Sequence, residues 1–73
     1  MIVGVAVREG APVAGTTIGE AALRDSYGVT VLAVRHEGRW QFAPRGSQSL
    51  AVGDDLFVVG SYDAVTAFRE VVA

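Results

Sequence analysis

The sequence predicts a small α+β domain, in which two helices pack on a small, mainly antiparallel or mixed β-sheet in the order β-α-β-β-β-α. Three observations support this fold class. Apolar runs of strand length alternate with turn residues, a capping signal marks the start of one helix, and the last segment has apolar residues at helical spacing. Helices and strands in this order bury their apolar faces by packing on a common sheet.

Four segments have the composition of strands. They are rich in valine, leucine and aromatic residues and are bounded by turn residues, and they cover residues 2–7, 29–35, 39–43 and 56–60. His36, Glu37 and Gly38 form the turn between the second and third strands. Pro44 ends the third strand because proline cannot donate a hydrogen bond to a β-ladder.

The first helix is expected over residues 18–26. Thr17 and Glu20 form a capping box, in which the threonine oxygen accepts from a helix amide and the glutamate reaches back. Gly28 follows where a left-handed residue ends a helix. The residues expected to face inward are Ala22, Leu23 and Ser26.

The second helix follows the last strand. Ser61 can cap it, and Asp63 in its first turn complements the helix dipole. Val65, Phe68 and Val72 repeat at helical spacing and predict one apolar stripe that faces the sheet.

Length and composition limit what the chain can be. Its 73 residues predict one domain, residues 1–73, with a core so small that a staple or a partner subunit is usually needed. It has no cysteine for disulfides and only one histidine for a zinc site, so a partner subunit is the expected support. The absence of cysteine also suits a cytoplasmic protein, which is the expected location. No apolar run is long enough for membrane insertion, and a net charge of −2 without a basic patch predicts no nucleic-acid partner.

Both faces of the strands are apolar. In the second strand, alternation directs Val29, Val31 and Ala33 to one face and Leu32 and Val34 to the other. Two short helices can cover only one face of the sheet, so we expect the other to meet a second copy of the chain in a homodimer. Two alternatives remain, in which loops cover that face or these are the central strands of a compact monomer.

Two segments carry a family resemblance. They are residues 17–35, TIGEAALRDSYGVTVLAVR, and residues 50–60, LAVGDDLFVVG. In this order they resemble the RCK C-terminal domain, also called the TrkA-C domain, of regulators of potassium conductance. In that family a helix-to-strand unit with Ile-Gly and Tyr-Gly-Val precedes a proline and a Gly-Asp turn. The resemblance covers residues 3–71.

The resemblance implies a dimeric regulatory domain and not an enzyme. Such domains lie behind a nucleotide-binding Rossmann domain, or at the cytoplasmic end of a cation channel, antiporter or other transporter, and they bind small regulatory ligands. In some bacterial members the ligand is cyclic di-AMP, held between the protomers. Because this chain has no glycine-rich strand-turn-helix unit, NAD or ATP binding is not expected, and no cofactor is predicted. Whether the chain is a fragment or a domain that stands alone is left open.

The resemblance also suggests ligand-binding residues. Arg24 matches a basic position that contacts the ligand, Ile18 an apolar position that packs on the base, and Pro44 a proline that lines the cleft. A symmetric ligand on a two-fold axis meets each residue twice, so one arginine per chain can face two phosphates.

Four more residues complete the candidate site. Thr30 stands where the family often has an asparagine that bonds the ligand. Gly46 stands where some members have a histidine, and Arg45 beside it could supply charge instead. Gly19 belongs to the helix start, whose free amides would favour an anion.

These residues also have structural interpretations. Arg24 and Arg45 can be solvated, Ile18 can belong to the core, Gly19 can permit close packing, and Pro44 can simply end a strand. Accordingly, two alternative functions accompany the ligand-binding hypothesis. The domain could be a ligand-free module that dimerises and tethers transporter subunits, or it could sense a divalent cation.

Other polar and aromatic residues predict structural roles. We expect His36 to be an exposed turn residue without a partner, and Asp54 and Asp55 to shape a turn through bonds to the backbone. The only tryptophan, Trp40, is expected to pack on the sheet or at an interface.

Overall fold

The computed structural model describes residues 1–72 and contains seven elements of regular structure. They are β1 (Ile2–Ala6), α1 (Ile18–Ala21), α2 (Leu23–Tyr27), β2 (Thr30–His36), β3 (Arg39–Phe42), β4 (Asp55–Val59) and α3 (Tyr62–Val72). The α+β class is confirmed, and every strand begins and ends within one residue of its predicted bounds. Ala73 and the side chain of Val72 lie outside the described residues. Val72 was the last residue of the apolar stripe predicted for the second helix. Within residues 1–72, no helix is long and apolar enough to cross a bilayer.

The four strands form one sheet in the order β1-β4-β2-β3. All three pairings are antiparallel, so the antiparallel form of the prediction is the observed one. Glu37 and Gly38 connect β2 to β3 with φ angles of 50° and 79°. Two left-handed residues in a hairpin turn match the twist of the flanking strands.

The predicted helix ends are confirmed. The amide of Glu20 donates to Oγ1 of Thr17 at 3.1 Å, and the amide of Thr17 donates to Oε1 of Glu20 at 2.9 Å, which completes the capping box. Gly28 ends α2 with a left-handed φ of 76°. At the start of α3, Oγ of Ser61 accepts from the amide of Ala64 at 3.1 Å.

The first helix is broken at Ala22, which corrects the single helix expected over residues 18–26. Ala22 has φ 48° and ψ 47°, a left-handed conformation that separates α1 from α2. The change of direction at this residue turns Leu23 into the core, whereas Ser26, expected to face inward, is exposed.

The core lies between one face of the sheet and the helices. Val65 and Phe68 of α3 are fully buried together with Leu56 and Val58 of β4. Tyr27 of α2 packs edge-on against Phe68, with 5.7 Å between the ring centroids. The α3 stripe predicted from the sequence therefore faces the sheet, as far as Val65 and Phe68 show.

A bulge in β2 corrects the predicted assignment of side chains to faces. The pairing with β4 shifts between Val31 and Ala33, so Leu32 is the extra residue. Val31 and Val34 consequently pack on the core side, and Ala33 pairs with Phe57 on the opposite side. One extra residue in a strand reverses which sheet face the following side chains point to, so a strict in-out alternation gives the wrong faces after Leu32.

The side of the sheet opposite the core carries an exposed apolar surface. We call it the outer face and define it by Ile2, Trp40, Phe42, Phe57 and Val59, which the strand pairing puts on one side. Trp40 stacks on Phe42 with the ring planes 3° apart, and its centroid lies 4.8 Å from that of Phe57. Ile2 and Phe42 are 66% and 70% exposed. The prediction that Trp40 packs on the sheet is confirmed.

Candidate functional site

A cleft lies where α1 and α2 meet the start of β2 and the loop that follows β3. Six of the seven predicted ligand-binding residues line it, namely Ile18, Gly19, Arg24, Thr30, Pro44 and Gly46. Ala22, Leu23, Asp25, Val29 and Val31 complete the lining. The seventh, Arg45, lines a separate depression beside β3 together with Phe42 and Ser47. The structure therefore does not bring the charge of Arg45 into the cleft.

Backbone hydrogen bonds join the two walls of the cleft. One wall is α1, and the other is the loop over residues 43–54, which connects β3 to β4. The amide of Gly19 donates to the carbonyl of Gly46 at 2.8 Å, and the amide of Ile18 donates to the carbonyl of Gln48 at 3.0 Å. A Cβ atom added to Gly19 would lie 3.1 Å from the oxygen of Gly46. Glycine at position 19 thus allows the loop to approach the helix this closely.

The same hydrogen bonds correct the expectation that the helix start offers free amides to an anion. The amides of Ile18 and Gly19 are used by the loop, and those of Thr17 and Glu20 are used by the capping box. An anion in the cleft would therefore find no free donor among these amides. Sequence reasoning missed this because the acceptors come from a loop distant in sequence.

Two opposite charges border the cleft on α2. Nη2 of Arg24 lies 3.5 Å from Oγ1 of Thr30, so the two predicted polar contacts stand side by side. Asp25 also lines the cleft and is exposed, as Arg24 is. An anion would thus meet one attractive and one repulsive side chain per protomer.

A histidine–carboxylate pair lies near the other end of β2. Nδ1 of His36 is 2.5 Å from Oδ1 of Asp54, and the Asp54 side chain is 3% exposed. The hydrogen bond and the negative charge of Asp54 raise the pKa of His36 above its ordinary value of 6.5. The expectation that His36 has no partner is therefore wrong. The turn-shaping role of Asp54 is confirmed, because its Oδ2 accepts from the amide of Ala51 at 2.9 Å.

The neighbouring carboxylates form pairs and not a metal site. Asp55 is the first residue of β4 instead of a turn residue, and its Oδ2 accepts from Nε and Nη2 of Arg35 at 3.0 and 2.6 Å. On the side of the His36 ring away from Asp54, Nε2 of His36 lies 3.7 Å from Oε1 of Glu37. Across the part of the chain that the structure describes, no three histidine or acidic residues come together to hold a metal ion.

The fold is that of a small α+β domain, with helices on one side of an antiparallel sheet, an apolar surface on the other and a cleft between α1 and the loop 43–54. The sequence model of the TrkA-C domain family matches residues 2–73, and the chain belongs to this family. The resemblance carried by the two sequence segments is thereby confirmed.

Solved structures of related domains have the same fold. The RCK_C domain dimer of S. agalactiae BusR in complex with c-di-AMP is 28% identical, with a TM-score of 0.88 over 94% of this chain and 91% of that one. The RCK C domain of the potassium transport protein KtrA, also in complex with c-di-AMP, is 25% identical, with a TM-score of 0.85 over 94% of this chain and 79% of that one. Among curated proteins, no sequence matches this chain significantly.

One neighbour bears on the expected absence of nucleic acid. S. agalactiae BusR in complex with its busAB-promotor DNA is 27% identical, with a TM-score of 0.89 over 96% of this chain. This chain covers 34% of that BusR chain. Because a relative of the same fold belongs to a DNA-bound protein, the expectation of no nucleic-acid partner is not supported.

Proposed function

We propose that this chain is the regulatory domain of a potassium or other cation channel, transporter or antiporter, and that it binds a small anionic ligand, with cyclic di-AMP as the leading candidate. The observation that carries the proposal is the cleft formed by α1, α2, β2 and the loop 43–54. The complexes of the BusR and KtrA domains with c-di-AMP support the choice of ligand. In this proposal residues 1–73 act as one domain in the cytoplasm, near the membrane only through the transport protein.

Different residues of the cleft supply the charged, polar and apolar contacts that the ligand needs. Arg24 balances phosphate charge, and Thr30 beside it supplies a neutral polar contact. Ile18 and Pro44 give the cleft apolar surface on which a base can pack, since both are partly buried and line it from opposite walls. Asp25 opposes an anion, so affinity depends on how far the phosphates lie from it.

The outer face is the surface we propose for a homodimer. Trp40 is 44% exposed, and Ile2 and Phe42 are exposed still further. Covering one large apolar side chain contributes about 1.5–3 kcal/mol, which a domain this small can use. Thr30 pairs with Val59 in the ladder, so it lies on the same side of the sheet as the outer face.

The position of Thr30 joins the dimer surface to the cleft. Because Thr30 belongs to the cleft and to that side of the sheet, a second copy on the outer face would bring two clefts towards the two-fold axis. A symmetric ligand between them would meet Arg24 from each protomer. Binding would then favour one dimer arrangement over another and pass a signal to transport, because a ligand shifts conformations only through differential affinity.

A ligand-free tethering module is the second candidate. The exposed outer face favours it, since self-association through that face needs no ligand. The two candidates differ in what the cleft does, because tethering leaves it empty.

Calorimetry on purified dimer separates the candidates. The protein is titrated with cyclic di-AMP, ATP, NAD and calcium in turn. The proposed function predicts heat and saturation with cyclic di-AMP. Confirmed self-association with no heat from any of the four compounds would favour the tethering module.

A further inference from the structure

The buried carboxylate of Asp54 joins three parts of the fold. Its two oxygens bond His36 at the end of β2 and the amide of Ala51 in the loop 43–54. Its backbone carbonyl accepts from the amide of Val7, just beyond β1, at 2.8 Å. Asp54 is 2% exposed, so these contacts replace water around a charged group. Asp54 therefore fixes the last residue of the loop whose first half forms one wall of the cleft.

Hydrogen bonds connect Asp54 to the opposite wall of the cleft. Ala51 follows Leu50, whose amide donates to the carbonyl of Thr16 at 2.8 Å. Gly19 lies three residues after Thr16, and its amide donates to the carbonyl of Gly46. These hydrogen bonds, joined by short stretches of backbone, lead from the carboxylate through the loop to the start of α1, so loosening at Asp54 can reach the cleft.

His36 is the titratable member of this arrangement, and several charges face it. Within its own hairpin, Glu37 lies 3.7 Å from Nε2, and Arg39 is its ladder partner on β3. One residue along the strands, Arg35 is neutralised by Asp55 of β4. The hydrogen bond and the negative charge of Asp54 raise the pKa of His36 most, Glu37 raises it further, and desolvation acts in the opposite direction.

We propose that His36 and Asp54 form a proton-sensitive link that holds the loop 43–54, and with it one wall of the cleft, more firmly when His36 is protonated. The His36 side chain is 51% exposed and can exchange protons with solvent, whereas the Asp54 side chain is buried. When His36 is neutral, its Nδ1–H can still donate, but the buried carboxylate loses its counter-charge. Opening of the loop then becomes easier.

The direction of the pH dependence follows from His36. Its pKa in the folded chain lies above 6.5, so protonation stabilises the fold. This contribution is complete below the pKa of the unfolded chain and is lost as the pH rises through the higher pKa of the folded chain. The inference concerns the fold alone and does not depend on which ligand fills the cleft.

The test uses the fact that His36 is the only histidine. NMR titration of the intact chain should give a pKa for His36 above 6.5, and the amide signals of Ala51 and Gly19 should shift with the same midpoint. Urea unfolding across the same pH range should show the unfolding constant rising tenfold for each unit by which that pKa exceeds its value in the unfolded chain. In His36→Gln this rise should disappear.

A second variant separates the effect of Glu37 from that of Asp54 and leaves the buried Asp54 unchanged. Glu37→Gln removes the weaker acidic neighbour, and the pKa of His36 should remain above 6.5. The proposal is overturned if the pKa falls to 6.5 in Glu37→Gln, if Gly19 does not follow His36, or if His36→Gln retains the pH dependence.

Discussion

The amide of Gly19 donates a hydrogen bond to the carbonyl of Gly46 at 2.8 Å, and the space for a side chain at position 19 is taken by that same oxygen. The two glycines belong to opposite walls of the cleft, so this contact sets the width of the cleft at one point. A residue larger than glycine at position 19 has to push the loop away from α1.

Gly19→Ala should therefore weaken this hydrogen bond. Losing much of one backbone hydrogen bond costs about 0.5–1.5 kcal/mol, which corresponds to about a twofold to thirteenfold loss of hydrogen-exchange protection at residue 19. Native-state hydrogen exchange measures it directly.

Gly46→Ala is the matched control. A Cβ atom on Gly46 would lie 3.7 Å from the Cα of Gly19, an ordinary contact, and protection at residue 19 should stay as in the parent. Equal protection in Gly19→Ala and the parent would show that the loop yields without cost.

Ala22→Gly should stabilise the chain, although glycine usually weakens a helix. Ala22 is left-handed, a conformation that costs an alanine about 1–2 kcal/mol and glycine almost nothing. After subtracting the greater freedom of glycine in the unfolded chain, we expect a gain of about 0.5–1 kcal/mol in urea unfolding. Ala21→Gly, one residue earlier inside α1, should instead destabilise by about 0.5–1 kcal/mol. If both variants lost stability equally, the break at Ala22 would be absent in solution.

Phe42→Ser should weaken self-association without unfolding the monomer. Phe42 is 70% exposed, so most of its apolar surface is available to a second copy and little is buried within its own chain. Because each of the two chains loses one such side chain, we expect the dimer to lose about 3–6 kcal/mol, a hundredfold or larger rise in the dissociation constant by sedimentation equilibrium. Tyr62→Ser is the control, because Tyr62 is 67% exposed but lies on α3, away from the outer face. An equal effect of both variants would exclude the outer face as the dimer surface.

Local signals in the sequence were sufficient for most of the fold. The capping box of Thr17 and Glu20, the left-handed Gly28 and the Ser61 cap each depend on residues within a few positions of one another. Such patterns can be read without knowing the tertiary structure.

The sequence did not reveal the bulge in β2 or the break in the first helix, for two different reasons. The bulge at Leu32 is defined only against β4, and it reverses which residues of β2 reach the core. The break at Ala22 occurs at a residue with no preference for a left-handed conformation, so composition gave no sign of it.

Most residues of the candidate site could be predicted from the sequence, but the hydrogen bonds around it could not. Seven residues were predicted from the family resemblance and the helix start. Six of them line one cleft, and Arg45 lies outside it. The pair of His36 and Asp54 joins residues 18 apart in sequence, and finding it required the register of β2 against β4. Their roles in ligand binding stay predictions.

Titration calorimetry with cyclic di-AMP on the parent, Arg24→Ala and Arg69→Ala tests the central claim most directly. Arg69 is an exposed arginine on α3 that lines a different depression, so Arg69→Ala matches the change in charge. The account predicts one ligand per two chains for the parent and Arg69→Ala. For Arg24→Ala it predicts affinity about 100-fold weaker or worse, because each ligand loses two charged contacts of about 1.5–3 kcal/mol. Equal affinity in Arg24→Ala, or one ligand per single chain, would contradict it.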